Sequence, residues 1–406
     1  MKDLFASYDN SSVLQEKRSA LSRRQFLQLT TALAAYSVLW KSGIAVGGQE
    51  MGESRAIFDE SLSWLTSQAA HNLCQRIKHA GFNVLMPNVW HGRGTTWPSD
   101  LAPWDSHKLE EMARSNSSFD PLDNLIKIAN QYDIEVHPWF AVMLRQRQFF
   151  SDFYDAGTPE NTFDVHRPEF RDFICNLMVE CVSRYPIHGI NLDYIRAGAI
   201  CQSQACVADY RKATNRDLNH DRLTRGISGE SGVTIAAWQE RAVGDIVRRV
   251  SERVRAINPK AVVSVCAHPN HPNLLIQGQD SIKWSNEGLI DVIYAMHYEA
   301  DIDWRHLKEL QQRMQHPEAL VVLCGNYDGL PSDKTVLTRD ARAVARLLQE
   351  ARAIGQNNGV GLYLYNMLSE EQINILRQTT FNATAKPRWV RAGRYGLKAP
   401  TGLIIR

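Results

Sequence analysis

After residue 50 one alternation dominates the chain: a short apolar run followed by a longer amphipathic segment, repeated eight times. A short apolar run bounded by turn residues reads as a strand buried on both faces. The amphipathic segment after it reads as the crossover helix that parallel pairing requires. The strand candidates are 55–60, 83–90, 134–140, 189–195, 262–267, 292–297, 320–324 and 361–365. The clearest helix lies between Pro168 and Pro186, with Phe170, Phe173, Ile174, Leu177, Met178, Cys181 and Val182 on one face. Further helices are predicted over 69–80, 121–131, 235–257, 304–314, 339–354 and 370–378, while the helix signal across 274–284 is weak. Eight such units in series fit a closed (β/α)8 TIM barrel of the α/β class better than an open doubly wound sheet, which uses fewer strands. The barrel is expected over 51–385, preceded by a signal or anchor region at 1–50 and followed by a basic tail at 386–406.

Composition narrows the partners. The net charge is +2, and no basic stripe with interleaved aromatics is present apart from the short tail, so nucleic acid is not an expected partner. At the front, Ser22-Arg-Arg-Gln-Phe-Leu27 precedes a mostly apolar run to Trp40, the order of regions in a twin-arginine export signal. The expected location is therefore periplasmic or extracellular, reached through the twin-arginine machinery. Lys41 interrupts the tract and no good Ala-x-Ala follows, so an uncleaved anchor is the alternative to a cleaved signal; the tract is short for a spanning helix. Of seven cysteines most are expected in the core. Cys201 and Cys206, bracketing a polar loop, come closest to a disulfide, with free thiols the alternative.

Barrel enzymes carry their chemistry at the C-terminal ends of the strands. Here those ends hold Asn88, His91, Arg93, His137, Trp139, Asp193, Tyr194, Arg196, His268, His271, His297, Tyr298, Glu299, Asp301, Asn326, Asp328 and Asn366. Asp193 stands out because it follows Ile190 and Leu192 in an apolar strand, where an ionised carboxylate needs compensation. Two roles fit it: one half of a buried ion pair with Arg196, or a catalytic carboxylate. Glycoside hydrolysis needs a second carboxyl group, for which Glu299 ranks first, Asp301 second and Asp328 third. Trp90, Trp97, Trp104, Trp139, Tyr194, Tyr298 and Tyr327 suit a sugar, whose apolar faces stack on flat rings. His268-Pro-Asn-His271 lacks the companion ligands of a specific metal site, so no metal is expected. There is no Gly-x-Ser-x-Gly elbow, phosphate-binding glycine loop or dinucleotide fingerprint, and no cofactor is expected.

Four motifs in series carry a family resemblance: Gly92-Arg-Gly94 with Trp97-Pro-Ser99 and Pro103-Trp104; Asp120-Pro-Leu122; Val136-His-Pro-Trp-Phe140; and Gly189-Ile-Asn-Leu-Asp-Tyr-Ile-Arg196. Together they resemble the glycosyl-hydrolase-like family 10 barrels of exported bacterial proteins, across roughly 55–380. The resemblance implies a (β/α)8 barrel that hydrolyses glycosidic bonds of cell-envelope or extracellular polysaccharide, with Asp193 as nucleophile. The chain departs from the family pattern at Thr95, where many relatives have Asp, and at Ala295-Met-His-Tyr-Glu299, where relatives often have Pro-Gln-x-Tyr-Trp.

The expectation is thus a glycosidase in which Asp193 acts at the anomeric centre and Glu299 or Asp301 protonates the leaving oxygen. His91, Arg93, Trp97, His137, Trp139, Tyr194, Arg196, His297, Tyr298, Asn326, Asp328 and Asn366 are the expected substrate-binding residues. Two other classes compete: a non-catalytic carbohydrate-binding barrel that has lost the acid, and a barrel hydrolase acting on a non-sugar bond such as an amide.

Overall fold

The computed structural model describes residues 51–146, 148–224, 229–329, 336–354 and 359–389. The expected export signal, and the basic tail from residue 390 onward, lie outside the described residues. The chain divides into two compact units, Met1–Met51 with Gly329–Val336, and Gly52–Asp328 with Leu337–Arg406. The second unit holds the fold.

That fold is the expected closed parallel barrel. Its strands are β1 (Arg55–Asp59), β2 (Val84–Trp90), β3 in two pieces (Glu135–Val136 and Trp139–Ala141), β4 (Gly189–Asp193), β5 (Val262–Ala267), β6 (Val292–His297), β7 (Leu320–Gly325) and β8 (Val360–Tyr363). Each pairs in parallel with the next, and β8 closes on β1 with Val360 opposite Arg55 and Leu362 opposite Ile57. The third strand departs from the continuous run expected over 134–140 because Pro138 has no N–H to give to the ladder.

Strand alternation sorts the side chains into two cores. Ala56, Phe58, Val84, Met86, Trp139, Cys266, Tyr294, Met296, Val321 and Leu323 fill the barrel interior. Their neighbours Ile57, Leu85, Val89, Phe140, Ile190, Leu192, Val263 and Ile293 point outward against the helices. The helix Pro168–Arg184 illustrates the outer layer. Pro168 opens it where the missing N–H costs nothing, and Phe170, Ile174, Leu177, Met178 and Cys181 are all buried. Each of the larger of these contributes roughly 1.5–3 kcal/mol relative to exposure.

Three helices were not expected from the sequence: His107–Ser115, Gln204–Thr214 and Leu218–Thr224. They are insertions in the loops after β2 and β4. The weak segment before β6 resolves into Pro272–Leu275 and Ser281–Asn286.

The N-terminal end of the barrel is closed by the start of the tail. Glu53 N–H donates to Lys386 O, Ser54 Oγ–H donates to Arg388 O at 2.8 Å, and the Trp389 indole N–H donates to Glu135 Oε2 at 2.8 Å. Trp389 packs against the interior core and lies 5.2 Å from the His137 ring, centroid to centroid.

Candidate active site

Strand β4 carries three inward positions, Gly189, Asn191 and Asp193. A Cβ on Gly189 would meet the His137 ring at 2.5 Å, so the glycine makes room for that imidazole at the lowest layer. Asn191 donates from Nδ2 to Ser264 Oγ at 2.9 Å, one layer higher. Asp193 then ends the strand at the mouth, buried to 7% exposure.

The carboxylate of Asp193 is held by two donors. Its Oδ1 accepts the Tyr194 backbone N–H at 2.7 Å, and its Oδ2 accepts the Trp139 indole N–H at 3.2 Å. Burial pushes the carboxyl above the ordinary range, and Arg196, the Tyr194 N–H and the Trp139 N–H oppose that rise. Arg196 acts from a distance: its guanidinium lies over the Tyr194 ring, 4.6 Å from the centroid, and forms no ion pair with Asp193. Tyr194 itself has φ of 48°. A bulky residue in this left-handed region costs about 1 kcal/mol or more, and such strain clusters where a side chain must be aimed.

Aromatic rings wall this mouth. Tyr363, at the end of β8, stacks on Tyr298 with centroids 5.0 Å apart and lies 6.0 Å from Tyr327 and 6.2 Å from Trp139. Phe58 supports Trp139 from below at 5.4 Å. Burial raises the phenol groups of Tyr298 and Tyr363, which keeps both hydroxyls protonated as hydrogen-bond donors. Burial disfavours the charged form of three strand-end histidines: it lowers His91 to about 4, His268 to about 3, and His297 below its usual range.

Of the residues singled out in the sequence, Asp193, Trp139, Tyr194, Arg196 and Tyr298 come together at this mouth. The strand-six carboxylates Glu299 and Asp301 are exposed, and the backbone oxygens of Glu299 and Tyr298 accept from Arg339. Asp328 is exposed and pairs with Arg339 at 2.7 Å. Asn366 is exposed after β8. Asn326 is fully buried, tying Leu364 and Gln372 to β7. His137 is fully buried at the opposite end, against Trp389, with Nε2 3.2 Å from Glu135 Oε2. Trp97 is buried in the outer core, edge-on to Phe140.

Two motifs turn out to build scaffolding. Arg93 forms a bidentate pair with Asp105, at 2.9 and 2.8 Å, and also donates to Gln146. The flanking glycines let the backbone pass: a Cβ on Gly92 would meet Leu144 O at 2.0 Å, and one on Gly94 would meet Trp104 O at 2.5 Å. In Asp120-Pro-Leu122, Asp120 caps the helix Pro121–Gln131 through the Asp123 N–H and accepts the Tyr185 hydroxyl at 2.8 Å. His91 lies beside Asn88 at 3.3 Å, at the start of the same β2 loop.

One residue of the mouth escaped the sequence reading. Glu60 follows β1, and the alternation of Ala56 and Phe58 carries inward to position 60. Its Oε2 accepts the Tyr363 hydroxyl at 3.1 Å, and burial raises its carboxyl, with Asp59 and Asp193 adding to the rise. Cys201 and Cys206, in the loop after β4, are disulfide-bonded with Cα atoms 6.1 Å apart. The buried Asp164 lies against the pair, 3.3 Å from Cys206 Sγ. Among the described residues these three form the only group spaced like a metal site. Bonded to each other, the two sulfurs offer no thiolate.

A (β/α)8 barrel with an inward carboxylate and an aromatic wall at the C-terminal ends of its strands has its polar groups where barrel enzymes place their active sites. The sequence makes the assignment specific: residues 57–156 and 146–325 match Glycosyl hydrolase-like 10, and the chain belongs to that family. Its curated relatives include glycosyl hydrolase DigH of Escherichia coli K12, 22% identical over 271 residues. That match covers 57% of this chain and 58% of the relative, so the chain spans little more than half the length of the protein it matches. Among solved structures the fold resembles alpha-L-fucosidase isoenzyme 2 from Paenibacillus thiaminolyticus, with TM-score 0.54 and 14% identity over 81% of this chain and 49% of that one. It also resembles the catalytic domain of beta-amylase from Paenibacillus polymyxa, with TM-score 0.53 and 8% identity over 82% and 99%.

Proposed function

We propose that the protein is a glycoside hydrolase acting on a cell-envelope or extracellular polysaccharide, with Asp193 acting at the anomeric centre. The observation that carries this reading is Asp193 itself. A buried carboxylate without an ion-pair partner among the described residues, fixed by two N–H donors beside a wall of rings, suits a developing oxocarbenium charge better than it suits stability. The partly exposed Tyr298 and Tyr363 offer ring surface to a pyranose, and Arg196, His268 and His297 lie within electrostatic reach of one another at the rim. Membership in a glycosyl-hydrolase-like family supports the same chemistry.

The test is incubation of the protein with a panel of bacterial envelope polysaccharides and mass spectrometry of the released fragments. Asp193→Asn should lose about 10³-fold or more in turnover while folding normally. Undiminished turnover in that variant rejects the role given to Asp193. A second reading, a carbohydrate-binding barrel without catalysis, is favoured by the exposure of Glu299 and Asp301. It predicts glycan binding without any released fragment.

Export through the twin-arginine machinery is part of the proposal. It rests on Arg23-Arg24 ahead of the apolar run and accords with a disulfide in the loop after β4. Residues 1–50 fused to a reporter should direct it out of the cytoplasm, and Arg23→Lys with Arg24→Lys should stop it.

A further inference from the structure

We propose that Glu60, at the end of β1, is the proton donor that works opposite Asp193. The proposal rests on the glycosidase reading above and supplies the partner acid that the exposed strand-six carboxylates leave unassigned.

The argument is geometric. Strand β1 alternates Ala56 and Phe58 into the barrel, and the next inward position is 60, at the mouth. Glu60 is half-buried there, and its Oε2 accepts the Tyr363 hydroxyl at 3.1 Å. Tyr363 in turn lies 6.2 Å from Trp139, whose indole N–H donates to Asp193 Oδ2. The two carboxyl groups thus stand three strands apart around the eight-stranded barrel, each hydrogen-bonded to one member of an edge-to-face aromatic pair. Among the described residues no hydrogen bond occupies Glu60 Oε1, the oxygen available to hold a proton for a ligand. A sugar entering the mouth at the partly exposed Tyr363 would approach both carboxyl groups, one from β1 and one from β4, the pair that glycoside hydrolysis requires.

Among the described residues, the charged and titratable groups facing Glu60 are Asp59 beside it, Tyr363 on β8, Tyr327 after β7 and Asp193 on β4. Both carboxylate neighbours disfavour a second negative charge. Burial acts in the same direction and outweighs the Tyr363 hydroxyl, so Glu60 keeps its proton further up the pH scale than an exposed glutamate. In the reaction Glu60 passes that proton to the glycosidic oxygen, which departs as an alcohol with the electron pair of the broken C–O bond. The Asp193 carboxylate neutralises the charge left on the anomeric carbon. Water then adds at that carbon and returns one proton to Glu60.

The test compares Glu60→Gln, Asp193→Asn and the unaltered protein on a cleaved glycan and on an aryl glycoside of the same sugar with an activated leaving group. For Glu60→Gln the expected result is a loss of about 10²–10⁴-fold on the glycan, a much smaller loss on the aryl glycoside, and disappearance of the alkaline limb of the pH profile. Tyr363→Phe guards against a folding defect: losing the hydroxyl, which favours the ionised form of Glu60, should move that limb to higher pH, read from the shape of the profile rather than from the turnover at its optimum. Glycan turnover and an alkaline limb that survive in Glu60→Gln, or a limb lost in Glu299→Gln instead, overturn the assignment of Glu60 while leaving Asp193 in place. Undiminished turnover in Asp193→Asn, or no cleavage by the unaltered protein, overturns the glycosidase reading on which it rests.

Discussion

The indole N–H of Trp139 donates to Oδ2 of Asp193 across the boundary between β3 and β4, at 3.2 Å, and among the described residues it is the only side-chain hydrogen bond that holds this carboxylate. Burial favours its protonated form and this donor favours the ionised one. Trp139→Phe keeps a ring in place and removes the donor. A hydrogen bond to a charged group contributes about 1.5–3 kcal/mol, so the Asp193 carboxyl should rise by roughly one pH unit or more. Because the mechanism needs the carboxylate ionised, the acid limb of the pH–rate profile should move to higher pH. An unmoved limb, or one displaced to lower pH, rejects this role for Trp139.

Asp59 offers a test read by denaturation and not by turnover. It is fully buried at the end of β1; Oδ1 accepts from Ser61 while Oδ2 has no hydrogen-bond partner. Burial is the main cause of its raised carboxyl pKa, so the folded state holds the proton more tightly than the unfolded chain does. The native state is therefore favoured below the ordinary aspartate range, and that contribution is lost as pH rises through the raised value. Asp59→Asn should stabilise the protein at pH 7 by about 1–2 kcal/mol, with the gain fading below roughly pH 4. Urea denaturation at the two pH values measures it, and equal stability of both proteins at pH 7 would count against a costly buried charge.

The disulfide gives a countable outcome. Cys74, Cys175, Cys181, Cys266 and Cys324 are free and buried, while Cys201 and Cys206 are bonded. Alkylation of the unfolded, unreduced protein should add five groups, and prior reduction should raise the number to seven, as mass spectrometry will resolve. A loop this short contributes about 2 kcal/mol through the unfolded chain, which reduction should remove. Seven adducts without reductant would show that the bond does not form.

Gly92 tests the loop after β2. Its φ is 80°, and a Cβ there would meet Leu144 O at 2.0 Å. Gly92→Ala should cost about 2 kcal/mol or more by combining strain with a backbone clash, and should loosen the clamp of Arg93 on Asp105. A thermal midpoint unchanged from the parent protein would exclude that packing.

The barrel was readable from the sequence because strands buried on both faces leave continuous apolar runs; β5 and β6 fall on the residues expected. The helices His107–Ser115, Gln204–Thr214 and Leu218–Thr224 were missed for a related reason. Each buries only one or two side chains, so the apolar face that announces a helix is thin. Within the site, Asp193 was conspicuous as a charge ending an apolar strand. Glu60 was not, because recognising it means counting the two-residue period from Ala56 past the end of β1. His137 drew attention as a polar residue of β3, yet its position against Gly189 and Trp389 depends on a strand and a tail distant in sequence. Arg93 shows the converse: a charged residue in a family motif whose guanidinium is already engaged by Asp105 and Gln146.

Trp389, seated under the barrel, makes the interior a vessel with a single opening. Above it the lumen is packed with Phe58, Met86, Tyr294 and Leu323, none more than 1% exposed. Whatever reaches the Asp193 carboxyl therefore comes and goes at the one end where the strands finish. On the glycosidase reading proposed above, a sugar held at that mouth would bar solvent from the carboxyl groups beneath it, and proton exchange with bulk water would wait for the departing fragment to clear the threshold.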